Sequence, residues 1–495
     1  MFKRKIHAGV AAISALTLAF AALSGCSQQQ EPAKSTDSAS PSATSTIKTD
    51  YDVLVVGAGG AGMSAALTAQ AEGVSVGLID KVATVGGNTL FSSSGMNASE
   101  TKFQKEQGIE DSNASFAAET IKGGHDKNDA SLVEFMANNS AAAIEWLDSI
   151  GIKLDNLTQT GGMSVKRTHR PTDGSAVGGV LVKGLKENID KQGIEVLGDI
   201  TATDLVKEGD KVVGLKAHDK KGNPVEFKAK AIILATGGFA ANKEMVVKYK
   251  PEYEGMVTTN PDTSTGDGMI MAEKAGAELV QMENIQIHPT VEQSTSTLIA
   301  EGIRGGGAIL VNQSGDRFIN EMETRDVVSA AELKQEGGYA YEILDQGVRE
   351  ANKAVDKYIK EGLVVEAPSL AELAAKLNVD PAKLEASVAT YNAAVAAGGQ
   401  GDPFNRSTGL KALETGPFYA IKVAPGVHHT MGGVRVDTLS RALTKDGKPI
   451  EGLYAAGEVT GGIHGANRIG GNAVCDIIVF GRNAGEQASK FVKGL

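Results

Sequence analysis

Residues 51–80 read YDVLVVGAGGAGMSAALTAQAEGVSVGLID, and this stretch decides the fold. Val53 to Val56 is a short apolar run of the kind that forms a buried strand. Gly57, Gly59 and Gly62 follow as G-x-G-x-x-G. The first glycine permits a tight turn, the second lets backbone approach a pyrophosphate, and the third lets a helix pack closely on the strand. Free N–H groups at the start of that helix face the phosphates. Ala65, Ala66 and Ala69 keep the helix slim. Val74 to Ile79 reads as a second strand, ended by Asp80. An acid roughly 20 residues past the glycines suits a ribose hydroxyl. Strand, glycine turn, helix and acid-tipped strand together predict a dinucleotide site. A plain tight strand-to-helix turn is the competing reading.

At 495 residues the chain is long for one core, which predicts two or three domains. Hydrophobic residues make up 41%, enough for most of it to be globular. A net charge of −11 argues against general nucleic-acid binding, which needs basic surface. At the N-terminus, Phe2-Lys3-Arg4-Lys5 precedes an apolar run from Ala8 to Leu23, the pattern of a signal segment rather than a membrane span. It ends in Leu23-Ser24-Gly25-Cys26, which resembles a bacterial lipobox with Cys26 lipidated; an ordinary secretory signal or a signal anchor is the alternative. Residues 1–25 are thus expected as a lipoprotein signal peptide. Residues 26–49, rich in Ser, Thr, Gln, Pro and Ala, are expected as a flexible tether. The protein is expected outside the cytoplasmic membrane, held to it by lipid. Cys26 and Cys475 are its two cysteines, so acylation of the first leaves no internal disulfide. The sequence has no C-x-x-C-H haem attachment site and no clustered Cys/His set for zinc or iron–sulfur. Electrons must come from outside the chain.

Beyond Asp80, Gly86-Gly87-Asn88-Thr89 and Ser92-Ser93-Ser94-Gly95-Met96 supply small residues that let a flat ring approach backbone; a loop with turn chemistry is the blander reading. Residues 114–150 read as helical, with Phe135, Met136, Ile144, Trp146 and Leu147 on the apolar face. Gly161-Gly162 and Arg167 to Pro171 form a polar loop. Gly178 to Gln192 reads as helix, Ile194 to Val213 as strands around Gly-Asp, and Ala229 to Leu234 as a strong strand running into Ala235-Thr236-Gly237-Gly238. The segment from Ala367 to Ala397 has helical spacing and reads as scaffold.

Gly57 to Gly62, Ala235 to Gly238 and Leu453 to Glu458 (LYAAGE) together resemble the FAD domain of the fumarate reductase and succinate dehydrogenase flavoprotein superfamily. The closer resemblance is to its soluble branch, the flavoprotein portion of flavocytochrome c fumarate reductases. It runs from residue 50 to the end through GGNTLFSSSGMNA, VKRTHRPTDGSAVG, ILATGGFA, IQIHPT, RGGGAILVN, RFINEMETRD, HHTMGGV and GANRIGGNA. The resemblance implies an α/β fold: a Rossmann-like two-dinucleotide-binding FAD domain (50–280 and 411–495) with an inserted α+β capping domain (281–410). The histidine that carries covalent FAD in the membrane-bound branch has no counterpart near Asn88-Thr89, so FAD is expected to be non-covalent. The FAD-contacting positions that the resemblance carries over are Gly57, Gly59, Gly60, Ala61, Gly62, Asp80, Lys81, Gly87, Asn88, Thr89, Ser93, Ser94, Gly95, Thr236, Gly237, Asp267, His429, Glu458 and the helix start Gly471, Asn472, Ala473 and Val474. His429 is expected on the flavin ring and Glu458 on the ribityl chain. The helix start is expected to stabilise negative charge on the reduced flavin.

Reducing an activated C=C needs hydride at one carbon, a proton at the other, and positive charge on the substrate carboxylates. By resemblance the proton donor is Arg325, in T-R-D, with Glu301 and Arg304 resupplying it. From the residues alone, a local salt bridge of Arg325 with Asp326 or Glu323 is the leading reading. His288 is expected at one carboxylate end, and His428 with Arg468 at the other; Gly95 and Glu301 also line the pocket. Ala300 stands where the fumarate reductases carry threonine, and only its backbone N–H remains as a donor there. Leu298 and Thr160 replace pocket methionines. The expected substrate is therefore fumarate, or another small α,β-unsaturated acid of acrylate, methacrylate or cinnamate type. The expected electron donor is an external protein: a cytochrome, a flavin carrier or a quinol dehydrogenase. The alternatives are an FAD dehydrogenase or oxidase of ketosteroid or aspartate-oxidase type, and a non-catalytic lipoprotein that binds flavin or an organic acid.

Overall fold

The strand Asp50–Val56 is enclosed on both faces, and its parallel neighbours are Val76–Ile79 on one side and Pro224–Leu234 on the other. A strand covered on both faces needs an unbroken apolar run, which Val53 to Val56 supplies. This is a computed structural model of the chain, and it describes residues 47–495. The expected signal peptide, Cys26 and all but the end of the tether lie outside the described residues. Pro449–Ala455 and Glu195–Leu197 extend the sheet in parallel, and Arg441–Leu443 closes one edge antiparallel. An antiparallel ladder of Ile200–Glu208 and Lys211–Asp219 branches from Pro224–Leu234.

The third glycine does what its place in the motif predicts. A Cβ on Gly62 would lie 1.8 Å from the Gly57 carbonyl, so only glycine lets the helix Gly60–Ala71 start against the strand. The C-terminal helix Asn472–Lys493 lies beside it. A Cβ on Gly481 would stand 2.6 Å from Ala61 O, and one on Gly485 2.3 Å from Ala65 O. Alanines on one helix facing glycines on the other bring two backbones into contact, with both N-termini at the carboxyl end of the sheet.

The helical stretch read at 114–150 is two helices, Asn113–Gly123 and Ala130–Ser149. Between them His125 and Asp126 both adopt left-handed φ, and Asp129 caps the second helix through Ser131 N. The segment read as scaffold contains Leu370–Leu377 and Pro381–Ala396, the latter started by Asp380 and Pro381.

The cap has its own hydrophobic core, from Ile299 to Val423, around a six-stranded sheet. Its central strand, Phe418–Thr430, lies past the boundary expected at 410. The first half of this strand pairs with Ala340–Asp345 and Val364–Ala367, the second half with Ile285–Glu292. One strand thus threads the cap sheet and reaches the FAD domain. Gly416-Pro417 marks the start of this strand, and the turn-like Pro425-Gly426 falls inside it, so the sequence signals do not coincide with the change of sheet partner. Opposite Ile285–Glu292 the register slips: Gln286 pairs with His429 and Ile287 with Val427. His428 is the extra residue of this bulge, which re-aims its side chain.

Candidate functional site

Seven of the residues singled out for substrate chemistry converge at the join of cap and FAD domain. His288 comes from Ile285–Glu292, Glu301 and Arg304 from the turn and short helix Gly302–Gly305, and Arg325 opens the helix Arg325–Glu332. His428 comes from the bulge, and Arg468 from the loop that leads into Asn472–Lys493. Ala300 is the seventh, next to Glu301.

Arg325 is 7% exposed. Its Nε and Nη2 donate to Glu301 Oε2 at 3.0 and 2.5 Å. The local salt bridge does not form: Asp326 faces His125 at 2.8 Å instead, and Glu323 accepts from Asn320. Glu301 Oε1 points toward Arg304 Nη2, 4.0 Å away. Burial pushes the Glu301 carboxyl up, but the charges of Arg325, Arg304 and Arg468 outweigh it and hold it at about 2. Glu301 is therefore an ionised link between two guanidiniums.

Gln286 is the residue that sequence reading missed. Its Oε1 accepts from Arg325 Nη1 at 3.0 Å and from Arg468 Nη2 at 3.1 Å. Its Nε2 donates to Asn467 Oδ1 and to Arg468 O, both at 2.7 Å, which fixes the amide orientation. Gln286 sits two residues before His288, so the period of a strand places both on one face. That signal was available in IQIHPT.

His288 is fully enclosed, and its Nδ1 accepts from Thr290 N at 3.3 Å. That bond leaves the proton on Nε2, which has no partner among the described residues. Burial, then the charges of Arg325, Arg304 and Arg468, hold the ring well below the usual histidine range. His288 is thus a neutral donor into the pocket. His428 contacts Thr259 Oγ1 through Nδ1 at 2.7 Å. The His288 and His428 rings meet edge to face with centroids 5.2 Å apart, so in this state they form one wall instead of two ends. Arg468 is 5% exposed with its Nε unpartnered. Burial first, and the nearby Arg325 charge, bring its guanidinium down to about 9. A dianion would relieve both effects.

The pocket floor holds two further surprises. A Cβ on Gly470 would lie 3.2 Å from Glu301 Oε2 and 2.8 Å from Thr160 Cγ2, so this glycine makes room for the ion pair beside Thr160. The Ala300 backbone N–H, read as an available substrate donor, is committed: it donates to Tyr358 Oη at 3.1 Å, and that hydroxyl donates to Leu298 O at 3.1 Å. Tyr358 lies in a helix 58 residues further on, in no recognisable motif.

The positions read for FAD form a series along the carboxyl ends of the strands. Asp80, Lys81, Thr236 and Asp267 border one cavity. Asp80 Oδ2 accepts from Ala58 N at 2.7 Å and Oδ1 from Val82 N at 3.1 Å, so the acid also braces the glycine turn. Lys81 and Asp267 pair with each other at 2.6 Å. Gly60 N donates to Thr89 Oγ1 at 3.0 Å, and Gly59 bridges to Gly86, next to Gly87. Asn88 reaches Glu458 Oε2 at 3.4 Å, and Glu458 Oε1 accepts from Thr430 N at 3.0 Å beside His429. Burial raises the Glu458 carboxyl and lowers His429. Ser93 and Ser94 turn backbone carbonyls to Arg170 and Val177. Gly95 is required by packing, since a Cβ there would lie 2.3 Å from His169 O. Gly237 adopts left-handed φ at the end of its strand.

These residues fit a dinucleotide. Neither Gly60–Ala71 nor Asn472–Lys493 has a side-chain cap or an acid in its first turn. Gly59 and Gly471 stand at those caps; Gly60 N is taken by Thr89 Oγ1 and Asn472 N by Ile469 O, which leaves Ala61, Ala473 and Val474 with N–H groups for an anion. Thr236 Oγ1 and His429 Nδ1 are enclosed without partners among the described residues.

Comparison with known proteins agrees with this geometry. Residues 52–474 match the family described as FAD binding domain. The chain is 54% identical over 445 residues to the NADH:fumarate oxidoreductase of Klebsiella pneumoniae (strain 342), covering 90% of this chain and 48% of that protein. It is 44% identical over 443 residues to the fumarate reductase (cytochrome) of Shewanella frigidimarina, covering 89% and 77%. Its structure is similar to the open conformation of a flavocytochrome c3 fumarate reductase, with TM-score 0.77 and 42% identity over 90% of this chain and 79% of that one. The chain thus spans about half the length of the Klebsiella relative and about three quarters of the Shewanella one.

Proposed function

The chain belongs to the FAD-dependent fumarate reductase flavoprotein family, and from that premise we propose that it reduces a small α,β-unsaturated carboxylate, fumarate to succinate. One observation carries the reading: Gln286 Oε1 joins two enclosed guanidiniums, Arg325 and Arg468, beside a neutral His288 whose Nε2–H has no partner among the described residues. Three enclosed cations, Arg304, Arg325 and Arg468, against one anion, Glu301, select an anion, and the two that Gln286 joins favour two carboxylates.

FAD, held non-covalently by the residues above, supplies the hydride. Arg468 with His428 binds one carboxylate and His288 the other, the two rings parting as the acid enters. Arg468 draws electron density toward its carboxylate as the alkene is attacked. Arg325 gives a proton to the second carbon, and Glu301 passes it a replacement from Arg304. Arginine is a poor acid by its ordinary pKa. Two donors shared with one Glu301 oxygen give it an immediate source. Ala300 in place of threonine favours a second reading, a monocarboxylic enoate, because no hydroxyl serves the His288 end.

The lipobox-like Leu23 to Cys26 supports an exported, lipid-anchored protein, and no helix of the described residues is long and apolar enough to cross a membrane. Cys26→Ser should then release the protein from the membrane fraction. Electrons come from a partner protein. The deciding experiment adds a panel of enoates to dithionite-reduced holoenzyme without oxygen and follows flavin absorbance. Fumarate should reoxidise it fastest. Reoxidation by oxygen or a steroid, with every enoate inert, rejects the reading. Acid precipitation should leave the flavin in solution.

A further inference from the structure

The cap contains two acids that this chemistry does not use. Glu332 ends the helix Arg325–Glu332, and Glu342 lies inside the strand Ala340–Asp345. Both side chains are 0% exposed, among Val328, Ile343 and Leu344. An aliphatic side chain would fill either place with no loss of hydration, whereas an enclosed carboxyl gives its hydration up. Neither oxygen of Glu342 has a hydrogen-bond partner among the described residues, and those of Glu332 have only the peptide N–H of Ala340 nearby.

Arg304 is an independent second observation. It is 1% exposed, and its Nη1 donates to the Glu321 carbonyl at 2.7 Å. Its Nε and Nη2 are enclosed with no hydrogen-bond acceptor among the described residues. Arg304 is the main favourable charge on both acids. The other groups that face them are Glu321, Arg406 and Tyr358 around Glu342, and Glu342 itself beside Glu332. Ser329 Oγ, on the same helix face, is enclosed and unpartnered too. Burial pushes Glu342 up to about 8 and Glu332 well above the usual carboxylate range. Burial thus favours the protonated form of both.

Position joins these groups to the pocket. Arg325 and Glu332 are the two ends of one helix, on one buried face about two turns apart. The Arg304 charge acts on both acids, its Nη2 lies 4.0 Å from Glu301 Oε1, and Glu301 Oε2 accepts from Arg325, so these groups lead from the core of the cap to Arg325.

We propose that Glu332 and Glu342 are a buried proton store that recharges Arg304 and, through Glu301, Arg325. This rests on the reading of Arg325 as the proton donor. In each cycle Arg325 loses one proton to carbon and regains one from Arg304 by way of Glu301. Arg304 takes one from a carboxyl of the pair, and solvent returns one to that carboxylate. No electron moves along the series, and one proton is consumed for each alkene reduced.

The test compares FAD-loaded wild type with Glu332→Gln, Glu342→Gln and the double variant. Glutamine keeps the shape and neutrality of the protonated acid but releases no proton. Fumarate reduction is measured from about pH 6 to about pH 9 with saturating electron donor. The double variant should lose about tenfold in kcat with KM nearly unchanged, and the alkaline fall of the wild type should vanish. Superimposable pH profiles overturn the store, because a packing role would not move the profile and a proton source must. Arg325→Ala runs in parallel. If it still turns over, the donor reading is wrong and the store has nothing to feed; if it is dead while the double variant matches wild type, the store alone fails. Should the double variant not fold, infrared titration of wild type and Glu342→Gln decides. A protonated-carboxyl C=O band that fades toward about pH 9 and is weakened in Glu342→Gln supports the store. Absence of that band in the wild type overturns it.

Discussion

Arg325 and Glu301 meet at one carboxylate oxygen, Oε2, which takes both Nε and Nη2 of the arginine while Oε1 is left facing Arg304. One anion thus serves two cations. Arg325→Ala is expected to lower kcat by about 10²–10⁴, the usual value of a positioned acid, with flavin content unchanged. Arg325→Lys should not rescue it, since a lysine cannot span Glu301 and Gln286 at once. Normal turnover of Arg325→Ala rules the arginine out as donor.

The same pair predicts an acid-side stability loss. The folded-state pKa of Glu301 is depressed from 4.5 to about 2. Its contribution is therefore fully present above the unfolded value and disappears as the pH falls toward 2. The gap in unfolding free energy between wild type and Glu301→Gln should be on the order of a few kcal/mol at neutral pH and close below about pH 4. Denaturant titrations at several pH values measure it. A gap independent of pH means the variant acts by packing alone.

Gln286→Leu removes the acceptor shared by two guanidiniums and leaves Arg325 Nη1 and Arg468 Nη2 without it. Truncating one partner of a buried charged hydrogen bond costs about 1–3 kcal/mol per group. KM for a dicarboxylate should rise by about tenfold or more, because Arg468 loses its aim, and kcat should fall through Arg325. Gln286→Glu should keep the acceptor for both guanidiniums but lose the Nε2–H bonds to Asn467 Oδ1 and Arg468 O and neutralise one cation, giving weak dianion binding. Unchanged KM in both variants would show the bridge to be incidental.

Ala300 and Tyr358 predict a specificity change. The Tyr358 hydroxyl ties Ala300 N to Leu298 O. Tyr358→Phe frees that N–H at the pocket edge. Ala300→Thr adds a hydroxyl beside it. Both changes should improve kcat/KM for fumarate over a monocarboxylic enoate, by about 1–2 kcal/mol in the ratio, since only the diacid has a second carboxylate to accept the new bond. Ratios measured with fumarate and acrylate check this; an equal change for both acids removes the assignment of Ala300 to the second carboxylate end.

The FAD half was legible because its constraints are local. Gly57 to Gly62 must be glycine where backbone touches backbone, and such contacts recur in fixed spacing. The substrate site was legible only through its motifs. Nothing about Arg325 by itself separates a partner of Glu301 from a partner of Asp326; the contact it makes, with Glu301, lies 24 residues away. Gln286 was readable from strand period beside His288. Tyr358 and Gly470 were not, because each matters through a neighbour that only the fold supplies. The single strand Phe418–Thr430, shared by cap and pocket, likewise has no signal at its change of sheet partner. An acid in an apolar strand such as Glu342 was visible as an oddity, but its cation, Arg304, comes from another element.

His125 and Asp326 touch across the join, Nε2 to Oδ2 at 2.8 Å, one residue from Arg325. His125 sits in a left-handed turn of the FAD half, and Asp326 follows Arg325 on the cap. Both side chains are well exposed, so the pair contributes within the 0.2–1 kcal/mol of a surface contact and is screened by salt. That range changes an equilibrium that makes or breaks this contact by at most about fivefold. Asp326→Asn should therefore alter kcat by a few-fold at low ionic strength and leave it unchanged at high salt, with the fold intact. The check is kcat for wild type and variant across a salt series. A large effect that persists in high salt would mean that Asp326 acts on Arg325 directly, instead of through its surface contact with His125.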